Sequence, residues 1–244
     1  MSLDPGLRAL LDVFNAMPQP TPEEDTPAAG RAMYVAMRDQ FSGPQPDIGV
    51  VRDITVDGAA GPIKARLYDS IDGQNRPCMI YFHGGGFVIG DLDRDDETPR
   101  ALSKRCNAVV VSAHYRLAPE FKFPAAHQDA YSAWSWMIDH ATSLGGDPHR
   151  TAIVGEDAGG NLALNVALRA REEGGAHPRH LALISPMAAT DFGLPSYVEQ
   201  AAGMPYSAAT IQWFYKKALR SKGVIGDARL NLVDRDDLAG LPPT

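Results

Sequence analysis

Residues 151–162 read TAIVGEDAGGNL. An apolar run at 152–154 enters a turn of small residues. An apolar pattern at helical spacing leaves it through Leu162, Leu164, Val166 and Leu168. That is a strand, a tight turn and a helix. Gly155 and Gly159 stand two places either side of Asp157. The turn is so sharp that a side chain at the flanking positions collides with neighbouring backbone, which glycine avoids. The residue at 157 is therefore held up where a strand ends and a helix begins, and here it is a carboxylate.

Upstream, an apolar strand over 78–82 runs straight into His83-Gly84-Gly85-Gly86-Phe87. Its glycines let bare N–H groups face a cavity. Between these motifs the chain alternates strand and helix: a helix over 98–106, a strand over 108–113, a helix over 125–140. The sequence Gly145-Gly146-Asp147-Pro148 breaks that last helix. The helix leaving the turn stops at Gly174-Gly175, and one more strand covers 181–185. Alternation of this kind predicts an α/β fold, a mostly parallel sheet with helices on both faces. Ligands of such sheets bind at the carboxyl ends of the central strands, where both Gly-rich motifs fall.

Before this core come helices over 5–16 and 27–41, joined by a proline-rich connector, and a hairpin of VRDITVDG and IKARLYDS. After Pro186 the strand pattern lapses, and 208–219 is a helix with adjacent Trp213, Phe214 and Tyr215. The chain thus divides into an N-terminal lid segment (1–45), a core (46–186), a second lid segment (187–230) and a lead-in to a further strand (231–244). The acidic run 91–97 reads as a solvated loop capping the helix after it, not as a metal site.

The 244 residues carry 23 Lys and Arg against 30 Asp and Glu, a net charge of −7. That argues against nucleic acid and anionic membrane surfaces as partners. Cys78 and Cys106 make no disulfide framework and read as small core residues of a reduced interior. No signal peptide and no membrane-spanning run is visible, so a cytoplasmic protein without membrane insertion is expected. Cysteine–histidine spacing for zinc and nucleotide-binding glycine motifs are missing, so no metal or cofactor is expected.

Two loop donors plus the N–H after the turn, that of Ala158, make an oxyanion hole, and the turn is a nucleophile elbow. With YFHGGGFVIGD, HYRLAPEFKFPAAHQDAYSAWSWM, GEDAGGNLAL and DLAGLPPT, the sequence resembles the hormone-sensitive-lipase family of α/β-hydrolases, carboxylesterases acting on short to medium acyl chains. The resemblance implies Gly84, Gly85 and Ala158 as oxyanion donors. It implies a scaffold role for His83 and His127, with Gly86, Phe87 and Glu156 supporting the loop or pocket. Tyr115, Arg116, Glu120 and Asp129 form a structural polar cluster with Arg116 paired to a carboxylate. The family's elbow reads GDSAGG, so Asp157 stands at the nucleophile position where serine is expected. The family's acid and histidine fall beyond residue 244.

A carboxylate there fills the oxyanion hole with its own charge, and donors built for an anion should hold its pKa down. An inactive carboxylesterase homologue follows. Two other readings stay open: an Asp-nucleophile hydrolase attacking saturated carbon, and a binding module for a small ester or acid. The open edge of the 181–185 strand further suggests association into a homo-oligomer.

Overall fold

The strands at the centre of the sheet bury both faces, and their side chains sort by parity. The structure, a computed structural model, describes residues 4–16, 26–41, 43–71, 73–199 and 207–244. Its six strands are β1 (Val50–Gly58), β2 (Gly61–Asp69), β3 (Arg76–Phe82), β4 (Val109–Ala113), β5 (Gly146–Glu156) and β6 (His180–Ile184). They form one sheet in the order β1-β2-β4-β3-β5-β6. β1 and β2 are an antiparallel hairpin, and β2 also runs antiparallel to β4. The central pairs β4–β3, β3–β5 and β5–β6 are parallel.

The helices are α1 (Pro5–Ala16), α2 (Pro27–Phe41), α3 (Glu97–Cys106), α4 (Ala125–His140), α5 (Ala158–Glu173), α6 (Pro195–Glu199) and α7 (Ala208–Ala218). Cys78, Ile80 and Phe82 of β3, with Val109 and Val111 of β4, join a core shared with Trp134 of α4 and Leu162 of α5. Tyr81 of β3 and Val110 of β4 point the other way, into a smaller cluster with Tyr68 and with Leu102 of α3. A strand places successive side chains on opposite faces, so a continuous apolar run needs cover on both sides. Each buried aliphatic or aromatic side chain contributes roughly 1.5–3 kcal/mol.

Three sequence expectations are corrected. The break assigned to 145–148 is the start of β5: Gly145 turns the chain with φ 83, and Gly146 already pairs with Arg76 of β3. Pairing to a buried neighbour outweighs the local glycine and proline signal, and the register shifts there to absorb it. Cys106 is exposed while Cys78 is buried, because Cys106 sits in the solvent-facing last turn of α3. The acidic run is not solvated throughout, since Asp95 and Asp96 are buried. Asp96 accepts from Tyr68 Oη at 2.8 Å and binds the Arg100 and Arg66 guanidiniums. It stands just before α3 but makes no capping hydrogen bond. No helix among the described residues is long and apolar enough to cross a membrane.

Candidate active site

β3 and β5 lie side by side with Phe82 opposite Gly155, so the loops leaving them meet at the same edge of the sheet. Asp157 adopts φ 52, ψ −115, a conformation that costs an L residue on the order of 1–3 kcal/mol and persists only when its surroundings fix it. They do: its N–H donates to Ile184 O at 2.9 Å, and its carbonyl accepts from Met187 N at 2.9 Å and Asn161 N at 3.2 Å. The turn is as tight as its glycines imply. A Cβ on Gly159 would lie 1.9 Å from Phe82 O.

The side chain of Asp157 reaches back to the loop after β3. Its Oδ2 accepts from Gly85 N and from Gly86 N, both at 2.9 Å. Of the donors foreseen from sequence, Gly85 therefore converges on it, and the Ala158 amide adds its pull on the carboxyl. The second loop donor is Gly86, not Gly84. Gly84 instead provides clearance, because a Cβ there would stand 3.2 Å from Asp157 Cβ. The expected pKa direction is also corrected. Burial pushes the Asp157 carboxyl above its ordinary value and outweighs the three amides, which pull it down.

His83 is a buried scaffold residue. Its Nδ1–H donates to Gly84 O at 2.7 Å, and its Nε2 lies 3.3 Å from His114 Nδ1. Tyr115 Oη donates to His83 O at 2.8 Å, and the two rings stack at 4.5 Å. Burial lowers both His83 and His114 to about 4, so the pair is neutral and rigid at neutral pH. His127 Nε2 meets Asn161 Oδ1 at 2.9 Å and is likewise lowered to about 4 by burial. Glu156 accepts from Tyr81 Oη at 3.3 Å, and burial raises its pKa. Phe87, with φ 65, is buried, and its carbonyl accepts from Ala118 N at 2.8 Å.

The polar block after β4 separates into three contacts. Arg116 grips Asp129 through Nε at 2.7 Å and Nη2 at 2.9 Å. Tyr115 supports His83. Glu120 pairs with Arg31 of α2 at 2.8 Å, and Arg31 also donates to Val88 O and Ala118 O. The sequence reading missed Tyr34 of α2, which donates to the buried Asp95 at 2.9 Å. The signal was available: apolar Val88 and Ile89 precede the acidic run and Leu92 lies within it, and all three are buried with Asp95 and Asp96.

A cavity of about 600 Å³ opens in front of Asp157. Its floor is Gly84, Gly85, Glu156 and Asp157. Its walls include Tyr34 of α2, Tyr197 of α6, Ile211 of α7 and Met187.

A hydrolase scaffold is what this sheet, elbow and glycine loop define. A family model described as the alpha/beta hydrolase fold matches residues 79–244, and the chain belongs to that family. It is 41% identical over 196 residues to Esterase LipI of Mycobacterium tuberculosis, covering 79% of this chain and 60% of that protein. It is 35% identical over 253 residues to Carboxylic ester hydrolase LipN of the same organism, covering 99% of this chain and 66% of that protein. The chain thus spans 60% and 66% of the lengths of these two relatives. Among solved structures, the hyperthermophilic esterase of the archaeon Pyrobaculum calidifontis superposes with a TM-score of 0.88 at 35% identity, covering 100% of this chain and 78% of that one. The ester-hydrolase EH1AB1 from the Lake Arreo metagenome gives 0.92 at 34%, covering 99% and 78%.

Proposed function

We propose that this chain is a carboxylesterase of the hormone-sensitive-lipase type whose ester-cleaving centre is silenced by Asp157 in place of a serine nucleophile. One observation carries the reading: Asp157 Oδ2 accepts both loop amides, from Gly85 and Gly86, at 2.9 Å. Ester hydrolysis uses such donors to stabilise the oxygen that becomes negative in the transition state. In either protonation state Oδ2 occupies that position, so a substrate carbonyl has no room there. A carboxylate attacking an ester would in any case give an anhydride, and a nucleophile at this position needs an adjacent base. His83 and His127 are committed to Gly84 O and Asn161, and His114 Nδ1 lies against His83 Nε2.

The relatives' esterase names support ester hydrolysis as the chemistry of the parent scaffold, and the family resemblance implies short to medium acyl chains. Helices from 1–45 and 187–230 serve as lid segments over the cavity. The test is hydrolysis of p-nitrophenyl butyrate. The protein should match its heat-killed control, and turnover well above that control overturns the reading.

A second reading is favoured by the cavity itself. At about 600 Å³, walled by apolar side chains with a few polar groups converging on its floor, it has the form of a small-molecule site. The chain on this reading retains ligand binding without catalysis.

A further inference from the structure

Charge is distributed unevenly around the cavity in front of Asp157. Two carboxylates lie on its floor, those of Glu156 and Asp157, and none of the described residues lining it is Lys, Arg or His. Asp157 spends only Oδ2 on the loop amides. Tyr34 and Tyr197 bring two aromatic rings to the wall, Ile184, Met187 and Ile211 add apolar surface, and Ser185 and Ser196 are neutral polar groups beside them. The negative field extends across the space. The Tyr197 and Tyr215 hydroxyls are both raised, by burial first and by the Asp157 charge as well.

We infer that this cavity binds a small organic cation, a primary or quaternary ammonium on an apolar body of a few carbons. The inference rests on the second reading above, that the cavity is a ligand site. A carboxylate ligand entering it would face the carboxyl groups of Glu156 and Asp157, with no Lys, Arg or His among the described lining residues to meet it, and like charges at close range in a partly desolvated site repel strongly. An ammonium group would pair with the carboxylates of Asp157 and Glu156, and the rings of Tyr34 and Tyr197 suit a cation on their faces. Its alkyl portion would cover Met187 and Ile211. A bare metal ion is a poorer fit, because the apolar wall cannot replace the oxygen ligands that hard cations require.

The experiment is calorimetric titration of the whole chain with three ligands of similar shape: n-butylammonium, butyramide and butyrate. Asp157→Asn, which keeps the size of the side chain and removes its charge, is titrated in parallel. Glu172→Gln, at an exposed carboxylate outside the cavity, controls for non-specific attraction to an acidic protein. Butylammonium should bind at least tenfold more tightly than butyramide, and butyrate should not bind. Asp157→Asn should weaken butylammonium at least tenfold, and Glu172→Gln should leave it unchanged. Equal or tighter binding of butyramide or butyrate overturns the charge preference but leaves the cavity a ligand site. Binding of butylammonium that Asp157→Asn does not weaken, or that Glu172→Gln weakens equally, overturns the assignment to this cavity. No binding of any of the three overturns this inference and the ligand-site reading together, while the ester assay stands apart from both.

Discussion

Asp157 Oδ2 lies 2.9 Å from the amide nitrogen of Gly85, a side chain from the end of one strand filling the anion cradle at the end of its neighbour. The same oxygen takes Gly86 N. The chain therefore carries inside itself the contact that a carboxylate reaction product would make. The relationship depends on the parallel pairing of β3 with β5, which places Phe82 opposite Gly155.

Removing the side chain should expose the cradle to carboxylates from solution. Asp157→Gly tolerates φ 52 without strain and leaves the two amides free. Acetate should then raise the melting temperature of the variant by a few degrees, since a ligand at 100 times its Kd stabilises by about 2.7 kcal/mol. For a chain of this size each kcal/mol is about 2–4 °C. Wild type, already filled, should not respond. Thermal melts in acetate and in chloride of equal ionic strength check this. An equal response from both proteins counts against an occupied cradle.

Asp95 gives the stability of the fold a pH dependence of unusual sign for an aspartate. Burial holds its carboxyl at about 7 against an ordinary 3.8, although Tyr34 Oη and the Asp91 amide pull it down. Between those two values the folded chain keeps a proton that the unfolded chain has lost. Stability from this group is therefore highest at low pH and falls as pH rises towards 7. The span corresponds to on the order of 4 kcal/mol. Asp95→Asn cannot ionise, so urea unfolding at pH 4.5 and 8 should show the variant gaining on wild type as pH rises. A constant difference between the two proteins at both pH values would falsify the assignment.

The sheet was legible because its information is local. The run at 78–82 is apolar throughout and that at 108–113 is broken only by Ser112, and strands covered on both faces read that way. The elbow was legible for the same kind of reason, since Gly155 and Gly159 are dictated by contacts within a few residues or across one strand pair. What stayed hidden was long-range. Nothing near Glu120 in sequence announces that its partner is Arg31, 89 residues away. Whether Gly84 or Gly86 supplies the second amide depends on how the loop folds over Phe87 at φ 65, and three consecutive glycines carry no pattern that distinguishes them. The pKa of Asp157 followed from a balance of burial against amide donation, and sequence reveals the donors but not the burial.

That Arg116 pairs with a carboxylate was anticipated; the partner is Asp129, and the asymmetry of the pair makes a test. Asp129 has no exposed surface, while the Arg116 side chain is 20% exposed. Asp129 also accepts from Ala59 N at 2.9 Å and Arg116 N at 3.0 Å, so it ties the β1–β2 turn to α4. Arg116→Ala strands a buried carboxylate, and breaking a buried pair from this side costs about 3–5 kcal/mol. Arg116→Lys should recover less than half of that, since one ammonium cannot reproduce the two-pronged contact. Denaturant melts of the two variants decide it, and a lysine variant as stable as wild type would show that charge alone suffices.

Helix α7 packs against the glycine loop where Phe214 meets Gly86, and a double-mutant cycle can read that contact. Gly86 has φ 58, and a Cβ there would fall 2.1 Å from Phe214 of α7. Phe214 is 3% exposed, so it has no free space to retreat into. Gly86→Ala must strain the backbone, at about 1–2 kcal/mol for a left-handed residue, and must also displace the ring, at about 1–3 kcal/mol for overpacking. Phe214→Ala leaves a cavity and costs about 3–5 kcal/mol. In the double variant the new methyl group occupies space that the ring has vacated, so the collision disappears and only backbone strain remains. The two losses should therefore fall short of additive by about 1–3 kcal/mol, well outside the 0.3–0.5 kcal/mol within which independent sites add. Urea unfolding of the four proteins measures this coupling. Strict additivity would mean that α7 does not rest on the loop, and that the cavity in front of Asp157 lacks the wall this contact holds in place.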